Sequence, residues 1–258
     1  MTNPSNKNGQ YMFNFLPQNF LGEEDFMVTT CNQNAYMAVK MWPEWQHFSL
    51  NIFGPKSSGK SHLAHIWIST IQNTLPRPIQ IPILSSHSIN MKNVNKITNE
   101  HQYLVIEDLD SNINEEAFFH LYNNYNVPGR FILFTSELPP SKLALKLPDL
   151  RSRLNIIPTV EIMQPNDEML IALIAKQFND RQIIITQEIL DYILNHSERS
   201  FDFITKLIAE IDEISWTYGR AVSIPIIKEA LQNLTQNQQL ELFIWAHIII
   251  KILMVGLF

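Results

Sequence analysis

Residues 54–61 carry the pattern G-x-x-x-x-G-K-[ST], which is typical of loops that bind phosphate. Its members are Gly54, Pro55, Lys56, Ser57, Ser58, Gly59, Lys60 and Ser61. Backbone N–H groups of such a loop and of the following helical turn converge on one point, where the helix dipole also favours negative charge. Lys60 is expected to neutralise the β- and γ-phosphates of a nucleotide, and Ser61 to hold Mg²⁺. The pattern therefore predicts a nucleotide site with magnesium.

The residues on either side of the loop match the context that this chemistry needs. Residues 48–53 form a short apolar run that predicts a buried strand, and residues 62–71 lack Gly and Pro and predict a helix. The alternative, a glycine turn with a chance lysine, is disfavoured by these flanks. His62 and His65 lie three residues apart on the predicted helix, but they have no third ligand nearby, so packing is favoured over metal binding.

Acidic side chains follow two further apolar runs. Residues 102–110 predict a strand that delivers Glu107 and Asp108 at its carboxyl end, and Glu137 follows the predicted strand 130–136. Open α/β sheets bind ligands at this edge. In the phosphate-loop class one acid there helps to hold magnesium, and a neighbour polarises the attacking water. The pattern favours a metal contact by Glu107 over the alternative of a solvated acidic turn.

Composition restricts the classes of protein to which the chain can belong. Its 258 residues, 45% of them hydrophobic, suit one globular unit with a lid or two small domains. The net charge is −6 and the pI is about 5.7, without an evident basic face, so direct sequence-specific DNA binding is not expected. The single Cys31 excludes an intrachain disulfide, and the N-terminus lacks a signal-peptide pattern. A cytoplasmic protein is therefore expected.

Hydrophobic periodicity divides the chain into an alternating region and a helical region. The alternating region has a helix over 33–42 with Asn32 as a cap, a strand over 79–84, an amphipathic helix over 114–125 and a last strand over 155–162. Residues 85–100 carry no defined element. Four helices are predicted at 167–179, 186–196, 201–217 and 224–234, with Gly219 as a C-cap. The apolar stripe of the third comprises Phe203, Leu207, Ile208, Ile211, Ile214 and Trp216.

These elements predict an α/β fold, in which a parallel-sheet nucleotide-binding domain precedes a small all-helical lid. The expected divisions are a tail over 1–22, the nucleotide-binding domain over 23–163, the lid over 164–235 and an extension over 236–258.

Both ends of the chain carry apolar segments. Residues 10–17 follow a polar start and either dock on another protein or fold back on their own core, and composition leaves these two alternatives even. Residues 240–258 are apolar all round and barely reach the ~20 residues that span a bilayer. Glu241, His247 and Lys251 disfavour membrane insertion, so packing on the lid or translation past an ancestral stop is favoured over membrane contact.

The order of these motifs resembles the AAA+ ATPases, and within them the bacterial DnaA group with its Hda-like regulators. Residues 22–28 and Asn32 resemble the entrance to the adenine pocket. The loop continues in the family's manner as Lys60-Ser61-His62-Leu63, which implies that His62 is one of the nucleotide-binding residues. Residues 119–123 (FHLYN) and 147–154 (LPDLRSRL) match distinctive family boxes. The N-terminal segment resembles the family's sliding-clamp-binding peptide, whose matching positions are Gln10, Tyr11, Met12, Phe13 and Phe15.

The resemblance implies roles for further residues. Arg153 is the implied arginine finger, Arg199 the implied sensor II contact to the nucleotide, and Glu137 occupies the sensor I position. The implied catalytic set is Arg153, Glu107, Asp108 and Glu137. Glu107 and Glu137 differ from the residues usual at their positions, which implies weak or absent intrinsic hydrolysis. The implied cofactors are ADP or ATP with Mg²⁺.

The resemblance also implies a function. A regulator of this kind binds the sliding clamp and stimulates hydrolysis of the ATP bound to DnaA, and thereby limits re-initiation of replication. Two alternatives stay open: an AAA+ helicase loader of the DnaC type, for which the segment at 10–15 is not expected, and a nucleotide-binding scaffold without activity. A homodimer is a further partner expectation.

Overall fold

The computed structural model describes residues 22–236, which contain a five-stranded parallel sheet in the order β2-β3-β4-β1-β5. The strands are β1 (Ser49–Phe53), β2 (Ile83–Ser85), β3 (Tyr103–Leu109), β4 (Phe131–Ser136) and β5 (Thr159–Glu161). The helices beside the sheet are α1 (Gln33–Lys40), α2 (Lys60–Thr74), α3 (Val94–Glu100), α4 (Glu115–Tyr125) and α5 (Pro148–Asn155). The remaining helices are α6 (Asp167–Asp180), α7 (Gln187–His196), α8 (Phe201–Tyr218) and α9, described from residue 224 to residue 236.

The register of the sheet brings the predicted site residues to one edge. Phe53 pairs with Ser136 on one side and with Glu161 on the other, so β1, β4 and β5 end together. Because all strands are parallel, the loop after β1, the end of β3 and the residue after β4 lie at the same edge. The predicted parallel sheet is thus confirmed, and the predicted site residues lie at one edge of it, where open α/β sheets bind ligands.

Two apolar clusters cover the faces of the sheet. One joins β3 and β4 to α4 and α5, and its helix stripe is the predicted one: Ala117, Phe118, Leu121, Tyr122 and Tyr125. The other packs α1 and α2 on the opposite face, where Trp67 of α2 is fully buried and stacks on Trp45 with ring centroids 5.4 Å apart. Burial on both faces explains the continuous apolar runs of β3 and β4, whereas β1 also buries the polar Ser49 and Asn51.

The helices α6 to α9 form a separate layer with a core of its own. Side chains of Asn166, Thr186 and Ser200 accept hydrogen bonds from the backbone N–H groups of α6, α7 and α8, and thereby satisfy donors at the helix starts. Gly219 ends α8 with a left-handed φ of 61°, as predicted. The small all-helical lid is confirmed.

Several local expectations are wrong. Asn32 does not cap α1: its buried Oδ1 accepts from Thr29 N at 2.8 Å, and its Nδ2 donates to Met27 O at 2.9 Å. Trp216 is 85% exposed, because it lies on the face of α8 opposite the buried stripe. The strand expected over 79–84 is reduced to β2, since Pro82 cannot donate to a ladder, and the polar stretch 85–100 contains α3.

The predictions for residues 10–17 and 240–258 fall outside the described residues. Within 22–236, none of the helices is both long and apolar enough to cross a bilayer.

Candidate functional site

The loop between β1 and α2 adopts a conformation that its two glycines allow. A Cβ atom on Gly54 would lie 2.5 Å from the backbone oxygen of Ile162, next to β5, so no larger residue fits. Gly59 has a φ of 95°, and a Cβ there would lie 3.2 Å from the Phe26 ring. Ser57 also has a positive φ, of 57°. These positions curl the chain so that α2 begins at Lys60, directly after the loop.

Lys60 lies inside the curl of the loop. Its Nζ donates to the carbonyl oxygens of Gly54 at 2.9 Å and Pro55 at 2.6 Å. Burial lowers the pKa of Lys60, while the carboxylates of Glu137, Asp108 and Glu107 oppose that shift. The Lys60 ammonium group therefore lies among backbone oxygens and acids. A bound phosphate would give it a further anionic partner, and a magnesium ion would offset the charge of the acids.

Two buried polar atoms beside the loop have no hydrogen-bond partner among the described residues, Ser58 Oγ and Glu107 Oε1. Buried polar groups are nearly always paired, so two unpaired ones at a phosphate-binding loop fit a site that is completed by a ligand. A hydroxyl and a carboxylate are groups that a hydrated magnesium–phosphate complex can pair. The residues present therefore fit a nucleotide with Mg²⁺, which Ser61 and Glu107 would hold.

The acids at the sheet edge are placed by an irregularity in β3. The register with β4 shifts between Ile106 and Leu109, and Asp108 within that interval has a φ of 58°. A bulge of this kind re-aims side chains at the end of a strand. Glu137, which follows β4, lies 3.6 Å from Lys56 Nζ in the loop. The structure thus gathers Glu107, Asp108 and Glu137 near the loop; their roles stay predictions.

The lid reaches the loop at the start of α8. Ser57 Oγ donates to Asp202 Oδ1 at 3.4 Å. Arg199, three residues before Asp202, pairs through its guanidinium with Asp167 at 2.8 Å. The backbone of this part of the lid therefore lies beside the loop, while the Arg199 side chain contacts α6. Its contact with the nucleotide stays a prediction.

Residues 22–26, which precede α1, are held close to the phosphate-binding loop. His62 Nε2 donates to Gly22 O at 2.7 Å, and burial lowers the pKa of this histidine. Phe26 packs edge-on against His62 with a centroid distance of 5.1 Å, and Asp25 pairs with Lys176 of the lid at 3.6 Å. The packing role expected for His62 agrees with these contacts, and no cluster of three potential metal ligands occurs within residues 22–236. Phe26 belongs to the stretch 22–28 that resembles the entrance to the adenine pocket, whereas sequence reasoning missed Lys176, which belongs to no recognisable spacing.

Arg153 lies on α5 over aromatic rings. Its guanidinium carbon is 4.2 Å from the Phe119 ring centroid and 5.9 Å from that of Tyr122, both on α4. Within residues 22–236 no ion pair involves Arg153, so a carboxylate does not neutralise it there. The two boxes at 119–123 and 147–154 therefore meet in space. The role of Phe119 was missed by sequence reasoning, although its box had been recognised.

A depression of about 370 Å³ lies elsewhere on the described surface. It is lined by residues 45–48 and 126–131, where β1 and β4 begin. Because the loop lies at the carboxyl ends of these strands, this depression is not the nucleotide site.

Comparisons with solved structures identify the fold. Domain III of the Thermotoga maritima replication initiation protein DnaA superposes with a TM-score of 0.72 at 19% identity, covering 81% of this chain and 95% of that one. AMPPCP-bound DnaA from Aquifex aeolicus gives a TM-score of 0.61 at 22% identity, covering 76% and 65%. Residues 167–231 match the family described as the Hda lid domain.

The loop, the parallel sheet and the helical lid together have the AAA+ fold. In sequence, the DnaA of Aliarcobacter butzleri is 25% identical over 236 residues, which is 84% of this chain and 54% of that protein. The chain is thus similar to DnaA over most of its length and to the Hda lid domain over residues 167–231. It spans about half the length of the curated DnaA relatives that it matches.

Proposed function

We propose that this chain regulates replication initiation by stimulating hydrolysis of the ATP bound to DnaA while it is tethered to the sliding clamp. The family relationship supports a role in replication initiation. In this proposal Arg153 stimulates hydrolysis, the phosphate-binding loop holds the chain's own nucleotide, and the N-terminal segment binds the clamp.

The observation that carries the proposal is the placement of Arg153. A guanidinium supported on the Phe119 ring and without a carboxylate partner in the described chain keeps its charge available to an incoming anion. In phosphoryl transfer, charge spreads over the γ-phosphate oxygens in the transition state, and an arginine supplied by a neighbour stabilises it by ~10³–10⁵ in rate in related systems. Arg153 is therefore proposed to act in trans on the ATP of DnaA.

The chain's own nucleotide has a different role in this proposal. In it, ADP or ATP would bind where the loop, the lid and residues 22–26 meet, and Ser61 and Glu107 would hold Mg²⁺. Its binding therefore stabilises the relative positions of these parts. Glu107 and Glu137 differ from the residues that are usual at their positions, which favours retention of the nucleotide over its hydrolysis. Arg199 is proposed as an additional contact to the nucleotide.

The test is single-turnover hydrolysis of DnaA-bound ATP, with and without clamp loaded on DNA. Arg153→Ala is expected to reduce the stimulation by at least about tenfold while ADP affinity and clamp binding stay unchanged. Arg151→Ala is the matched control, because Arg151 lies on the same helix and is exposed. Equal stimulation by wild type and Arg153→Ala would refute the assignment.

The clamp contact is proposed for Gln10, Tyr11, Met12, Phe13 and Phe15. Replacing both Phe13 and Phe15 with Ala is expected to abolish clamp binding without lowering the melting temperature. A large fall in the melting temperature would instead support folding of the segment onto its own core.

A further inference from the structure

The point at which the N-terminal segment meets the described chain is fixed by three hydrogen bonds. His62 donates to Gly22 O at 2.7 Å. Glu23 accepts from Tyr36 Oη at 2.6 Å through one carboxylate oxygen and from Lys40 Nζ at 2.9 Å through the other. Residues 22 and 23 therefore lie directly against α1 and the start of α2.

This fixed point limits where a partner of the segment can be. Residues 17–21 separate the proposed clamp-binding residues from Gly22. A chain extends by at most ~3.6 Å per residue, so a protein that binds residues 10–16 must come within about 20 Å of Gly22. The surface around α1, which Glu23 contacts, is thus within reach of any such partner.

That surface presents two exposed methionines. Met37 on α1 and Met41, which directly follows α1, are 55% and 56% exposed. They lie one turn apart, on a stripe adjacent to the one through which Tyr36 and Lys40 hold Glu23. Methionine is flexible and polarisable and adapts to varied apolar surfaces, so an exposed pair beside the tether suits an interface.

We infer that Met37 and Met41 form a second contact with the protein that binds residues 10–16. The inference rests on the proposed function, in which that protein is the sliding clamp. The short tether argues for this occupant, because peptide binding places the clamp next to α1 at high effective concentration, where even a small apolar contact adds affinity. The segment itself and a second copy of the chain are the competing occupants.

The experiment is titration of the full chain with the clamp. Met37→Gln/Met41→Gln is expected to weaken the Kd by about tenfold, with unchanged helical content and melting temperature. Met91→Gln is the matched control, since Met91 is 43% exposed and lies before α3, away from the tether. An unchanged Kd in the double variant overturns the inference.

The competing occupants give different results, each of which also overturns it. A tighter Kd in the double variant means that the methionines hold the chain's own segment. An unchanged Kd together with loss of a dimer in sedimentation means that they hold a second copy.

A tether variant gives an independent measurement. Inserting about ten Gly and Ser residues between positions 17 and 22 lowers the effective concentration. It is expected to weaken clamp binding several-fold in the wild-type background and to have no effect in Met37→Gln/Met41→Gln. Equal weakening in both backgrounds overturns the second contact. If Phe13→Ala/Phe15→Ala leaves clamp binding intact, the proposed function itself fails, which separates the two conclusions.

Discussion

Replacing Phe119 with leucine tests whether the aromatic support of Arg153 matters for its action. The guanidinium carbon lies 4.2 Å from the Phe119 ring centroid, well within the range of a cation–π contact. Leucine keeps apolar packing at this partly buried position, where Phe119 borders the core of α4 and α5. The substitution therefore removes the ring and preserves most of the volume.

The magnitude follows from the geometry. Cation–π contacts contribute ~0.5–1 kcal/mol at exposed sites and ~2 kcal/mol when desolvated, which corresponds to about 2-fold to 30-fold in rate if the finger is positioned only when stacked. Phe119→Leu is thus expected to lose much less stimulation than Arg153→Ala. The loss should appear in the maximal rate of hydrolysis of DnaA-bound ATP. Phe119→Tyr keeps the ring and should retain the wild-type rate.

A double-mutant cycle separates an effect of Phe119 on the position of Arg153 from an effect on docking to DnaA. If Phe119 acts through Arg153, Phe119→Leu causes no further loss in the Arg153→Ala background. If Phe119→Leu reduces the rate of hydrolysis by the same factor in the wild-type and Arg153→Ala backgrounds, Phe119 acts independently of Arg153. That result would refute the reasoning. A shift confined to the half-saturating concentration would place the effect in docking and would refute it equally.

Three further predictions concern the loop, the sheet and the lid. Gly59→Ala places a Cβ 3.2 Å from the Phe26 ring at a φ of 95°, so we expect a loss of ~1–3 kcal/mol in unfolding free energy by denaturant titration, with ADP-dependent stabilisation abolished. Burial lowers the pKa of His47, so the unfolded state takes up its proton first as pH falls below ~6.5; unfolding free energy should fall from pH 7 to pH 5, and fall less in His47→Gln. Trp216→Gln should leave the melting temperature unchanged, whereas Ile211→Ala, at a fully buried position of the same helix, should cost ~2–5 kcal/mol.

The sequence predicted those parts of the fold whose signals are local. The apolar run before Glu107 marks β3, because a parallel strand buried on both faces favours a continuous apolar sequence, and the apolar Leu50, Ile52 and Phe53 before Gly54 mark β1. The C-cap at Gly219 was predictable because its left-handed backbone favours glycine. Trp216 was not predictable in the same way, since a residue near the end of an apolar stripe lies inside or outside according to which neighbours surround the helix.

The candidate site likewise has some features that the local sequence predicts and others that depend on tertiary packing. The loop was predictable because its glycines and Lys60 are required by the backbone and the phosphate at fixed spacing. The Asn32 contacts were not, because its side chain bonds Thr29 and Met27 in a turn whose path depends on the packing of α1. The stacking of Phe119 under Arg153 joins residues of two helices that only the tertiary structure brings together.

The contacts of the loop explain how a site with unusual acids can still organise the molecule. Gly59 lies under Phe26, His62 holds Gly22, and Ser57 reaches Asp202 of the lid. A nucleotide at this junction contacts groups linked to the N-terminal segment, the sheet and the lid, so its binding free energy stabilises their arrangement whether or not it is hydrolysed. Stimulating hydrolysis on DnaA would instead depend on Arg153, whose support comes from α4. In the proposed function, binding of the chain's own nucleotide and chemistry on a partner's nucleotide would therefore depend on different elements of one fold.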